Sequence, residues 1–224
     1  MFDWDPILLS LKLASVTTVI LLILAIPIAY WLVYSRFKFK AVVEAIISLP
    51  LILPPTVLGF YLLLAFSPSF FTGSILNSLF GTSIAFSFFG LVVASVIYSL
   101  PFMVHPIRSG LSNLPESYSD VSKVLGKSKL TTLFKVLLPN IKPSLLTGIV
   151  LAFAHTLGEF GVVLMIGGNI PSETRVASIA IYDEVESLNY ASANTYSLIL
   201  LVLAFIILLL VSSYNRNYLS RFWK

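Results

Sequence analysis

Five long apolar segments, at roughly 7–34, 42–66, 84–107, 141–166 and 196–213, take up most of this chain. One helical crossing of a bilayer needs about 20 mostly apolar residues, and each segment approaches or exceeds that. With 58% hydrophobic and 11% charged residues, a soluble fold would have too little polar surface to cover them. Lipid removes the difficulty, because it is an apolar solvent for the outside of the fold. The expectation is an all-α integral membrane protein of about five transmembrane helices, organised as one domain over 1–224. The chain has no cysteine, which excludes disulfides, thiolate nucleophiles and cysteine metal sites.

Pro27, Pro50, Pro54, Pro55, Pro101 and Pro106 fall inside these segments. Each removes a backbone donor, so interrupted helices are expected, their freed carbonyls served by neighbouring helices or a cavity. Such breaks fit ordinary kinking and fit a solute pathway. The leader Met1-Phe2-Asp3-Trp4-Asp5-Pro6 is acidic, the apolar run after it is long, and no small-residue cleavage pattern follows. The first segment therefore reads as a retained helix and not as a signal peptide.

Of the 14 Lys and Arg residues, all but Lys12 and Arg175 fall in the first connection, the third connection or the tail. The second connection, about 67–83, is uncharged. By the positive-inside rule the basic set is cytoplasmic, which puts the N-terminus outside and the C-terminus inside. Lys12 can snorkel toward the N-terminal end of its helix. The net charge of +4 is thus a topology signal for a chain whose partner is membrane lipid, and nucleic-acid binding is set aside.

The third connection, from Arg108 to Lys142, carries its own pattern. Ser112 or Asn113 can cap a helix with Pro115 in its first turn and Glu116 near the positive end of the dipole. Tyr118, Val121 and Leu125 recur at i, i+3 and i+7 as a narrow apolar stripe. Gly126 stands where a left-handed residue would end that helix, and a second helix, about 129–138, runs to Pro139. Taken locally, this helix–glycine–helix unit reads equally as a docking element or as an amphipathic hairpin lying on lipid headgroups.

One spacing within the unit goes further. Asp120-Val121-Ser122, three residues, Gly126, nine residues, then Val136-Leu137-Leu138-Pro139 resembles the EAA loop of ABC importer permeases, EAA-x3-G-x9-I-x-L-P. The second half fits position by position. The first half departs: Asp120 shortens the carboxylate, and Val121 and Ser122 are bulkier than alanine. The resemblance implies a type I importer permease fold. Its loop, about 108–142, would be gripped by an external ATPase through Glu116, Tyr118, Asp120, Val121, Leu125, Gly126, Leu138 and Pro139. The chain has no Gly-x4-Gly-Lys-Ser/Thr loop of its own. ATP and Mg would be used by that separate subunit, with no cofactor or metal bound by this chain.

A second stretch, Leu157-Gly158-Glu159-Phe160-Gly161, is similar to the GEFG signature of the molybdate and sulfate branch of these permeases. Gly167-Gly168-Asn169-Ile170-Pro171-Ser172-Glu173-Thr174-Arg175 resembles the same branch's GNIPxxT segment, and Ala180-Ile181-Tyr182 fits as well. The short chain favours the molybdate permease subunits over the sulfate ones. The resemblance implies a homodimer of permease subunits, two ATPase subunits and an extracytoplasmic oxyanion-binding protein in the inner (cytoplasmic) membrane of a prokaryote. Molybdate or tungstate would be the solute, with sulfate or thiosulfate as the alternative.

Glu159 is an ionisable residue in an apolar segment, which points to function because burying an unpaired charge is costly. A structural carboxylate bonded to a neighbouring helix, or one held protonated, is the bland counterpart. Gly158 and Gly161 permit close approach of backbones. Together with His155 and Phe160 they make up the candidate gate. His155, where the branch commonly has Arg, is either a packing residue or a titrating charge beside the path. Asp183, Glu184 and Glu186 mark a short acidic outer helix over the entrance. An intramembrane enzyme would have only His105, His155 and Glu159 to work with, since the sequence holds no HExxH and no GxSxG. A proton-coupled carrier or channel is disfavoured because no internal repeat is visible.

Overall fold

The computed structural model describes residues 2–67, 69–70, 73–74 and 84–222, with 210–222 described as backbone. Among them every regular element is a helix. These are α1 Asp5–Tyr34, α2 Lys40–Ile52, α3 Pro55–Phe66, α4 Phe88–Ser112 and α5 Ser117–Val124. They are followed by α6 Lys129–Asn140, α7 Lys142–Leu157, α8 Gly161–Gly167, α9 Ala177–Glu186 and α10 Tyr190–Phe222. The uncharged connection about 67–83 lies largely outside the described residues.

Three helices, α1, α4 and α10 over Tyr190–Leu209, are each long and apolar enough to cross a membrane. Two bent pairs, α2–α3 and α6–α7, raise the count to as many as five. α1 and α4 run side by side in the same direction. Leu9 and Leu13 pack near Leu91 and Val92 at one end, while Ala29 and Leu32 share a core with Ile107 and Leu111 at the other. α7 crosses both, contributing Ala152 to that second core. The opposite faces are no less apolar: Ile23, Ile52, Leu201 and Phe205 are exposed. Helices that are apolar all round are what a bilayer selects.

The prolines do not interrupt the helices as the sequence suggests. Pro27 lies inside α1, Pro50 inside α2, and Pro101 and Pro106 inside α4, each helix continuing past its proline. Only the Pro54-Pro55 pair breaks its segment, by 114°. A lone proline removes one ladder donor, whereas here two successive residues, Leu53 at ψ 137° and Pro54 at ψ 135°, are driven out of the helical region by the proline that follows each. The apolar stretch 141–166 is likewise not one helix. It stops at Leu157, turns through Gly158, Glu159 and Phe160, and restarts at Gly161.

The two ends of the bundle differ in character. At the end where α1 begins, Ser172 donates to Asp5 at 2.8 Å and the Tyr196 hydroxyl to the Asp3 carbonyl at 2.8 Å. The Lys12 ammonium there lies 4.5 Å over the Phe88 ring, consistent with snorkelling toward the N-terminal end. At the end where α1 finishes, Arg108 of α4 is ion-paired with Glu44 of α2, and the α5–α6 loop projects.

Candidate functional site

The projecting loop begins later than its sequence implies. Ser112 is still part of α4 and bonds back to the Ser109 carbonyl, so neither it nor Asn113 caps the next helix. α5 starts at Ser117 with Glu116 at its N-cap position and no side-chain cap, because α4 runs on through the proposed capping residue. Its end agrees with expectation. Gly126 has φ +67°, its N–H donates to the Lys123 carbonyl at 2.9 Å, and the Lys127 N–H donates to Ser122 at 2.9 Å. This pair of reversed bonds is the Schellman closure, which satisfies two carbonyls the helix would leave open.

The α5 stripe faces solvent. Tyr118, Val121 and Leu125 are all exposed, and Val124, which the sequence reading passed over, is 88% exposed. Leu130 and Phe134 of α6 extend the same apolar surface. They were legible as an i, i+4 pair flanking the glycine turn. Asp120 is exposed and bonds Lys123 at 2.9 Å across one turn, and that contact holds the lysine above its ordinary value. Ser122 is buried, its hydroxyl turned back onto the Tyr118 carbonyl at 2.9 Å.

α6 anchors the loop. It does not end at Pro139 but runs through it to Asn140. The turn before the proline, Leu133–Leu137, is π-helical, a widening that makes room where a proline ring would otherwise collide with the preceding turn. Leu133, Leu137 and Leu138 are buried in the core with α1 and α4, while Pro139 is exposed. Leu138 therefore fixes the loop to the bundle and is not part of its exposed surface. α7 then leaves at 81°.

The second candidate cluster sits in the break after α7. Glu159 is 4% exposed, and neither carboxyl oxygen has a hydrogen-bond partner among the described residues. Ser95 of α4, whose hydroxyl is also without one, lies within reach. The Glu159 carbonyl, freed by the break, is served from α9: Ser178 Oγ donates to it at 2.6 Å. Gly161 makes the close approach expected of it, since a Cβ there would meet Pro55 Cβ at 2.8 Å. Gly158 does not. A Cβ there would touch only the Ala154 carbonyl, at 3.7 Å, so within the chain it is a helix stop and not a packing glycine.

His155 is a packed residue. Its ring stacks on Phe102 at 4.0 Å and tilts against Tyr98 at 4.6 Å, and Nδ1 is 2.9 Å from Ser99 Oγ, which in turn meets Thr156 at 3.0 Å. Phe160 lies 5.1 Å from the Tyr182 ring of α9. The acidic charge of α9 is partly cancelled, because Arg175 bonds Asp183 at 2.7 Å and approaches Glu184 at 3.7 Å. The other histidine, His105, bonds Ser48 through Nε2 at 3.1 Å. His105 and His155 are thus held in separate partnerships, with Ser48 and Ser99, and the Glu159 carboxyl joins neither.

Bent and broken apolar helices around a packed core, with an amphipathic loop standing clear of it, define a membrane-embedded protein with an exposed apolar surface at one end of the bundle. The model of the binding-protein-dependent transport system inner membrane component matches residues 16–224, and the chain belongs to that family. It is 44% identical over 214 residues to the molybdenum transport system permease protein ModB of Azotobacter vinelandii, covering 96% of this chain and 95% of the relative. It is 35% identical over 212 residues to ModB of Escherichia coli strain K12, covering 95% and 93%. Among solved structures, the inward-facing MetNI methionine ABC transporter superposes with a TM-score of 0.72 at 18% identity, covering 95% of this chain and 94% of that one. That last likeness speaks for the fold.

Proposed function

We propose that the chain is the membrane-spanning subunit of an ATP-driven importer for molybdate or tungstate. The observation that carries this reading is the near full-length kinship to molybdenum transport permeases at 44% identity. The exposed stripe of Tyr118, Val121, Val124 and Leu125 supports a role for the loop as the seat of a separate ATPase. The basic loop end is then cytoplasmic, and the end with Asp3, Asp5 and α9 faces the solute-binding protein.

Two copies pair around a central path in a prokaryotic inner membrane, each seated on one ATPase. Closure of the ATPases on ATP moves the two loops, and α6, rooted in the core through Leu133, Leu137 and Leu138, carries that movement into the bundle. The coupling requires contacts that differ between the two states, and the exposed α5 surface is where they form. Glu159, whose carboxyl has no hydrogen-bond partner among the described residues, shapes the gate by bonding to the second permease copy, or to another helix in a different state of the cycle, instead of facing the dianion, which it would repel. A strain lacking its own molybdate permease, given this chain with its ATPase and binding protein, should regain molybdate uptake. Uptake that stays at background while the chain is present in the membrane would contradict the reading.

A further inference from the structure

Behind α5 lies a cavity of about 370 Å³, walled on one side by the last turns of α1 and on the other by the loop. The α1 side is aromatic, with Tyr30, Trp31 and Tyr34. Tyr30 and Tyr34 pack at 4.8 Å, and Trp31 is 38% exposed. The loop side is cationic, with Lys123, Lys127 and Lys129. Ser35, Ser119 and Thr132 complete the lining, the Thr132 hydroxyl already donating to the Ser128 carbonyl at 3.0 Å. α5 therefore has two unlike faces. Val121 and Val124 point away from the bundle, whereas Ser119 and Lys123, one turn apart, line the cavity. A partner seated on the outward face leaves this inner face free.

Three ammonium groups carry more charge than the cavity's surroundings cancel. Asp120 takes part of Lys123, but Lys127 and Lys129 have no ion pair among the described residues. Tyr and Trp at the end of a membrane helix mark the headgroup level of the bilayer. Lysines and hydroxyls at that depth match a phosphate group by charge and by hydrogen bonding.

We infer that this cavity binds a phosphate-bearing anion, presented by the adjoining leaflet as an anionic phospholipid headgroup or by solution as a free anion, and that the occupant braces α5 against α1. The site shares no residue with the candidate gate of His155, Gly158, Glu159, Phe160 and Gly161, and its existence does not depend on which oxyanion is transported.

Trp31 is a built-in reporter. In a Trp4→Phe, Trp223→Phe background, the purified complex in neutral detergent is titrated with dioleoyl phosphatidylglycerol, dioleoyl phosphatidylcholine or inorganic phosphate while Trp31 emission is followed. A saturable change with phosphatidylglycerol but not phosphatidylcholine assigns the headgroup. A saturable change with inorganic phosphate assigns a free anion. In either case Lys127→Gln with Lys129→Gln raises the midpoint about thirtyfold, counting each lysine at the usual strength of a basic residue beside an anionic surface. Lys127→Arg with Lys129→Arg keeps the response, which separates charge from folding. No saturable change with any of the three, or one that the double Gln variant leaves unaltered while its melting temperature is also unaltered, overturns the site.

Discussion

Ser178 donates its hydroxyl to the Glu159 carbonyl at 2.6 Å, tying α9 to the break that follows α7. The bond serves a backbone acceptor that the interrupted helix cannot serve itself. Ser178→Ala leaves that acceptor open, at a cost of about 1–3 kcal/mol, and should lower the melting temperature of the purified complex. For the Glu159 side chain, Glu159→Gln keeps size and hydrogen bonding and should retain substantial uptake. Glu159→Ala should lose most of it. Equal, wild-type uptake in both variants contradicts a gating role.

Gly126→Val isolates the loop's turn. A Cβ at Gly126 would meet nothing within 4 Å, so the whole effect is backbone strain at φ +67°. A β-branched residue there costs about 1–2 kcal/mol, enough to open the Schellman closure in a short helix. The chain should still reach the membrane, while solute-stimulated ATP turnover of the assembled complex falls severalfold. Unchanged turnover would remove the loop from the coupling path.

Val124→Asp tests the exposed stripe directly. Val124 is 88% exposed, so the substitution should shift stability by no more than about 0.5 kcal/mol. If this surface docks the ATPase, a buried charge in the interface weakens its binding by roughly tenfold or more. Pull-down of the ATPase by variant and wild type, with melting curves alongside, separates the two effects.

Sidedness is open to labelling. Ser187→Cys, in the exposed turn after α9, should react with an impermeant thiol reagent in intact cells. Lys127→Cys, in the α5–α6 turn, should react only after permeabilisation. The reverse pattern overturns the orientation drawn from the basic residues.

The chain's class and its loop were legible from the residues because both rest on local chemistry. Apolar length fixes membrane helices, and Gly126 is one of few residues that take φ +67° cheaply. What the residues did not convey depended on tertiary surroundings. Four of the six prolines sit in continuous helices, which only neighbouring contacts decide. The break at Glu159 was hidden because its flanks are as apolar as a straight span, and its compensating donor, Ser178, lies 19 residues on. The capping role assigned to Ser112 failed for the same reason, since α4 extends into the loop. Val124 was passed over because a stripe of i, i+3 and i+7 omits the position beside it. Arg175 was counted only as a lone basic residue until its bonds to the acidic α9 appeared.

The most direct measurement is uptake of labelled molybdate into proteoliposomes holding the chain with its ATPase, supplied with the cognate binding protein. Accumulation should require ATP and the binding protein together, should stop when the ATPase is omitted, and should persist against equimolar sulfate. Accumulation independent of ATP would contradict the importer assignment, and suppression by equimolar sulfate would contradict molybdate as the solute.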